Sequence, residues 1–367
     1  MSQLRSSTSG PRTARRRFLA TAAALPVAGW LGNASAQDRA PENRVIRIGS
    51  GPTGATEFLF GGLIANAISN PPGSRECDRG GNCGVRGLIA VAQTTGGPAE
   101  NMRAVARGDL ELGLAQADAA TWAFAASPIL GGDPLPNLRV IARLYPTTIH
   151  LVVRAQATIK SLDDLKGKKV GIGADGSAQA ATAKFVLSAH KIHWNQVRLV
   201  PLAFTAMTEA LASGKIDALF MVSAAPVLAL EDLARKTPIR IVPIAGPTAL
   251  KIAQALPFYT QGVIPAGVYG SAADVPTLEV GTVLIARDTM DDELAFGIAR
   301  AIWHERNVAL FQNGHPSGKL MLRAGAALGV SVPIHPGAIR FYASNAIPLP
   351  DTTQAPPPTR APNARSS

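Results

Sequence analysis

The sequence predicts an α/β protein of two domains, each built on a mostly parallel sheet covered by helices. Three observations carry this. At 367 residues the chain exceeds what one hydrophobic core usually serves. Apolar residues make up 47% and aromatics only 5%, so Ala, Val, Leu and Ile do most of the packing. Short β-prone runs alternate with segments of helical spacing, first from Val45 onward and again from Lys169. That alternation winds a parallel sheet.

Ahead of the first strand, Arg15-Arg16-Arg17-Phe18-Leu19 opens an Ala-rich apolar run ending at Leu31, and Ala34-Ser35-Ala36 supplies a small-residue cleavage site. Residues 1–36 therefore read as a secretory signal. The Arg pair with Phe-Leu resembles a twin-arginine signal; Ala14 and Ala20 depart from that pattern, and general secretion stays open. The run is too short to span a bilayer permanently. The expectation is an exported, periplasmic protein, soluble once cleaved and monomeric. The formal charge of +11 falls by five, to +6, once the five Arg of the signal are set aside. The remaining excess is scattered and not interleaved with aromatics, which argues against a nucleic-acid face but suits attraction of anionic solutes.

Val45 to Ser50 reads as a strand entering a glycine turn, followed by a helix over Phe58–Ile68 with Thr56 as its cap. Leu88–Thr94 is a second strand, and the helix after it starts at Pro98, where the missing N–H costs nothing. A third strand over Leu110–Gln116 leads into an Ala-rich helix. Leu138–Val153 is a long β-prone stretch interrupted by Pro146. The second series has strands at Lys169–Gly173, Val197–Pro201, Ile216–Val222 and Ile239–Ile244, with helices at Ala178–Ala189 and Met207–Ser213. Beyond Pro257 the chain turns Pro/Gly-rich, then gives a strand over Thr282–Ala286, one long helix over Glu293–Phe311 and a partly helical stretch to Ala346. The Pro-rich tail over 349–367 has nothing to bury and is expected to be disordered.

Cys77 and Cys83 are the only cysteines; in an oxidising compartment a local disulfide is favoured over a metal site. Gly49-Ser50-Gly51-Pro52-Thr53-Gly54 matches G-x-G-x-x-G after a strand, but the second strand ends without the acid a dinucleotide would need. Close backbone approach and free N–H groups at a helix N-terminus still suit a carboxylate. The competing reading is a purely structural turn. Thr95-Gly96-Gly97 and Gln116-Ala117-Asp118 repeat the strand-to-helix turn, with Asp118 equally readable as a helix cap. Gly176-Ser177 does the same in the second series. These turns predict a cleft lined by strand-end loops from both domains. No G-x-S-x-G elbow is present, Gly314–Lys319 is a phosphate loop in outline only, and the His190/His193 pair reads as a helix end. No enzyme, cofactor or metal is expected.

In order along the chain, Gly51-Pro52-Thr53-Gly54-Ala55-Thr56, Cys83-Gly84-Val85, Gln93-Thr94-Thr95-Gly96-Gly97-Pro98-Ala99-Glu100-Asn101, Gly108-Asp109-Leu110, Asp164-Leu165-Lys166-Gly167-Lys168, Ile264-Pro265-Ala266-Gly267 and His335-Pro336-Gly337-Ala338 resemble the TAXI subfamily of TRAP-transporter solute receptors. The resemblance implies a two-lobed periplasmic-binding-protein fold, each lobe a mostly parallel sheet flanked by helices. It implies lobe I over 44–148 plus 265–346 and lobe II over 149–264, hinged where the chain crosses near 145–153 and 260–270. It also implies capture of a small carboxylate or amino acid, glutamate-like or 2-oxoglutarate-like, for membrane permease subunits. A periplasmic sensor feeding a signalling partner, and less so an exported enzyme, are the rival readings. The expected ligand-binding residues are Gly54, Thr56, Glu57, Thr95, Gly96, Gly97, Gln116, Asp118, Gly176, Ser177 and Tyr259. Where the family often has Gly-Thr-Tyr-Tyr, this chain has Ala55-Thr56-Glu57-Phe58, and Pro98 replaces a usual Ser. Glu57 either meets a cationic or amino group of the ligand or points to solvent.

Overall fold

The computed structural model describes residues 44–350; the signal over 1–36 and nearly all of the tail lie outside them. The first winding consists of β1 (Arg44–Gly49), α1 (Thr56–Ile68), the short pair β2 (Ser69–Asn70) and β3 (Val85–Arg86), β4 (Leu88–Gln93), α2 (Pro98–Arg107), β5 (Leu112–Gln116) and α3 (Ala117–Phe124). The long β6 (Leu138–Arg154) leads into the second, with β7 (Lys169–Gly173), α4 (Ala178–Ala189), β8 (Arg198–Pro201), α5 (Phe204–Ala212), β9 (Ala218–Ser223) and α6 (Leu228–Lys236). The return contains β10 (Ile239–Ile241), α7 (Pro247–Ala255), β11 (Tyr259–Ile264), β12 (Val275–Arg287), α8 (Asp292–Ile302), α9 (Glu305–Gly314) and α10 (Pro336–Ser344).

The main sheet runs β4-β1-β5-β12-β6-β9-β7-β8. Within β4-β1-β5 and within β8-β7-β9 every pairing is parallel, and each triplet places its first strand in the middle. The two windings thus share one topology, as their repeated strand-helix pattern predicts. Between them β12 and β6 run antiparallel to their neighbours. Their length decides the architecture. The first part of β6, Leu138 to Pro146, pairs with β12 opposite β5, whereas Thr148 to Val153 pairs with β9. The carboxyl ends of β5 and β9 therefore meet near the middle of β6: Gln116 is opposite Thr282, Gly281 opposite Pro146, and Ser223 opposite Thr148. Helices cover the central parallel strands, so β5 and β9 are wholly buried and β7 is buried after its first residue, whereas the edge strands β4 and β8 stay partly exposed.

Several expectations are corrected. Pro146 does not interrupt the long strand; it borders a bulge on β6 itself, where Leu144 and Tyr145 stand opposite the single Thr282 between the Gly281/Pro146 and Val283/Arg143 pairs. Pro cannot donate to a ladder and is tolerated at such a site. The stretch from Tyr259 to Ile264 is β11, which pairs antiparallel with the first part of β12. The single helix expected over 293–311 breaks at Trp303-His304, where His304 turns to extended backbone and its Nδ1 accepts from the Arg306 N–H. No Gly or Pro marks that break. Thr56 is not the cap of α1: Ala55 is, and Thr56 is the first helical residue. Cys77 and Cys83 form a disulfide, beside which His304 Nε2 lies 3.6 Å from Cys77 Sγ.

His150 of β6 is fully buried, its Nδ1 within reach of the Thr148 and Met221 carbonyls at 3.1 and 3.2 Å and its Nε2 3.2 Å from the Tyr269 hydroxyl. Burial first of all pushes its pKa down, to about 4 from 6.5. As pH falls below 6.5 the unfolded chain takes up this proton and the folded one does not, so stability drops until about pH 4. The loss expected is about 3 kcal/mol. Urea unfolding of wild type and His150→Gln across this range checks it: the variant should show a shallower acid slope, and an identical slope would remove His150 as the cause.

Candidate functional site

The site is built from turns that the sequence marks with small residues. A glycine after a strand lets backbone approach closely, and the helix that follows begins with N–H groups lacking intrahelical acceptors. The caps of α1, α2 and α5 (Ala55, Gly97 and Ala203) supply no side-chain acceptor for these groups. Ser177 caps α4 by accepting from the Ala180 N–H at 3.1 Å. Since the carboxyl ends of both windings face one another across the middle of β6, all these helix starts converge.

Where they converge lies a cavity of about 170 Å³. Gly51 and Pro52 line it after β1, Gly96 and Gly97 after β4, and Gln116 at the end of β5. Gly173 and Ala174 line it from β7, Ala203 from β8 and Val222 from β9. Every strand of the two parallel triplets thus delivers its carboxyl end to the same space, the position where open α/β sheets bind ligands. The helix starts add Ala55, Glu57, Pro98, Ala99, Ala178, Gln179 and Phe204. Gly173 holds φ +98°, and a Cβ there would stand 2.9 Å from both Ser177 Oγ and Gln179 Nε2; only glycine fits this turn.

Glu57 is the one charged side chain among the described residues lining the cavity. It is 3% exposed, which overturns the reading that it points to solvent. Its Oε1 accepts from Gln116 Nε2 at 3.1 Å and its Oε2 from Ser223 Oγ at 2.8 Å. Ser223 Oγ also accepts from the Thr56 N–H at 3.0 Å, and Thr56 Oγ1 donates to the Ala224 carbonyl at 2.6 Å. The start of α1 is therefore clamped to the end of β9. Burial raises the Glu57 pKa, while its own backbone N–H, Ser223 and Gln116 pull it back down.

Of the expected site residues, Glu57, Gly96, Gly97, Gln116 and Ser177 line the cavity; Gly54, Thr56, Thr95, Asp118, Gly176 and Tyr259 do not. Thr95 lies next to it, its Oγ1 accepting from the Gly97 N–H at 3.2 Å. The Gly176 carbonyl accepts from Arg103 at 3.4 Å, and the Gly54 carbonyl from the Ala229 N–H at 3.4 Å. Asp118 is fully buried beneath the floor, where its Oδ2 accepts from the Tyr259 hydroxyl at 2.6 Å and from Thr182 Oγ1 at 2.8 Å. Its Oδ1 accepts from the Ala119 N–H at 2.7 Å. Asp118 is not the cap of α3, which is Gln116. It ties α3 to α4 and β11. Burial raises its pKa and these three donors lower it. Sequence reasoning missed Gln179, Phe204 and Ser223. Ser223 ends an apolar strand, a signal that was present; Gln179 and Phe204 carry no pattern of their own.

Residues 48–344 match the family model described as NMT1-like. The chain belongs to the NMT1-like family. Among solved structures, this NMT1-like chain is similar to the periplasmic aliphatic sulphonate binding protein of Escherichia coli, at 14% identity over 84% of this chain and 94% of that one, with a TM-score of 0.44. A periplasmic sulfonate-binding protein from Methylobacillus flagellatus KT gives 19% identity, 75% and 74% coverage and a TM-score of 0.43. The ligand-binding core of a Nostoc punctiforme protein in complex with glutamate gives 16% identity, 74% and 96% coverage and a TM-score of 0.43. No helix among the described residues is long and apolar enough to cross a membrane.

Replacing Asp118 by Ala leaves the buried Tyr259 hydroxyl without its acceptor, while Thr182 Oγ1 keeps the Ala178 carbonyl at 3.1 Å. The expected cost is about 3 kcal/mol, read as a lowered urea midpoint at constant slope; a midpoint equal to wild type would show the network to be inessential.

Proposed function

We propose that this protein is an exported solute receptor that captures a small carboxylate or amino acid between two lobes and presents it to the membrane permease of a TRAP-type transporter, as a member of the TAXI subfamily. One observation carries the reading: six strand ends from two identically wound halves open into one cavity. A receptor needs an enclosed site formed by two bodies able to separate, and here only two long strands join the windings within the sheet.

The lobe boundaries follow from the same strands. Lobe I would comprise 44–146 and 281–347, and lobe II 147–280, with the chain crossing at Pro146/Thr147 and at Val280/Gly281. Opening about these points would part Glu57 from Ser223 and Asp118 from Thr182, so a bound solute and these contacts would act together in holding the lobes closed. Handover then requires opening, which the permease would favour by binding the separated lobes.

Thermal-shift screening against organic acids and amino acids, followed by solution scattering, tests the reading. A ligand at a hundred times its dissociation constant stabilises by about 2.7 kcal/mol, a rise of about 4 °C in Tm for a chain this size. The same ligand should reduce the radius of gyration and be recovered unchanged. Chemical turnover of the ligand, or binding without compaction, would count against a receptor.

A further inference from the structure

Resting on the receptor reading, we propose that the cavity selects a small zwitterion with an ammonium group, a single carboxylate and an uncharged side chain, and rejects dicarboxylates. The selecting group is Glu57. A carboxylate has about four acceptor positions, and Gln116, Ser223 and its own backbone N–H take up three. The fourth remains for a donor inside the cavity that Glu57 lines. An ammonium group supplies both the donors and the opposite charge, and a charge-assisted bond to the nearly buried Glu57 is stronger than a neutral one.

The place of the carboxylate follows by exclusion and by charge. At the start of α1 the protein's own Glu57 carboxylate already meets a backbone N–H, so that helix end is filled from within. The starts of α2, α4 and α5 also line the cavity, through Ala99, Ala178 and Phe204; Glu100 Oε2 takes the Gly96 N–H just before α2 and Ser177 Oγ the Ala180 N–H of α4, whereas no side chain caps α5. Helix N-termini of this kind hold one anionic group without any basic side chain. Among the described residues lining the cavity there is no Lys, Arg or His. A second carboxylate would thus lie either against Glu57 or against the Pro, Ala and Val walls, desolvated with no cation to offset it. An uncharged side chain meets no such cost.

Calorimetry on the full mature chain tests this with alanine, serine, valine and proline as amine-bearing probes. Pyruvate and 2-oxoisovalerate serve as their amine-free counterparts, and glutamate and 2-oxoglutarate as dicarboxylates. At least one amino acid should bind ten-fold or more tightly than its keto acid and than either dicarboxylate. Glu57→Gln, close in shape, should lose at least ten-fold for that amino acid and leave the keto acid within about three-fold. Ser223→Ala keeps the charge and should keep the preference for the amine, which separates loss of charge from a disturbed fold. Tighter binding of a keto acid or dicarboxylate, or an unchanged preference in Glu57→Gln, overturns the inference while the receptor reading stands. Binding of none of these and of no other organic solute overturns both.

Discussion

Two strands that run through both windings set the geometry of everything else. β6 and β12 are long enough to pair with the first triplet along one part and to carry the second along the other. Because each triplet attaches at opposite ends of this central pair, and in opposite directions, their carboxyl edges are forced toward each other. Every feature of the site descends from that constraint. The glycine turns, the exposed helix starts and the single buried acid would otherwise lie on separate surfaces.

Buried polar contacts then hold the facing edges together. Glu57 and Ser223 join α1 to β9, and Asp118 with Thr182 and Tyr259 joins α3 to α4 and β11. Each carboxylate is costly to desolvate and is compensated by hydroxyl, amide or backbone donors rather than by a cation. Such contacts are strong only while the faces remain dry.

The two acids divide the work by position. Asp118 does not line the cavity and gives its acceptors to protein donors. Glu57, on the wall, has acceptor capacity left over. This difference was not readable from type or spacing, because both acids stand at the second position of a helix that follows a strand.

By itself the amino-acid sequence determined the winding: alternation of apolar runs and helical spacing is local, and it placed β7 and α4 to the residue and most other elements within a few. It also marked the strand-end turns, since glycine and proline act on their own backbone. Only the tertiary structure decided which turns share a cavity, because that depends on how far β6 and β12 extend past one another. It decided likewise that Glu57 is enclosed, that Asp118 and Tyr259 face each other beneath the floor, and that Gln179, Phe204 and Ser223 join the site. Those are contacts between residues more than a hundred positions apart or on neighbouring layers, and no pattern within a short window encodes them.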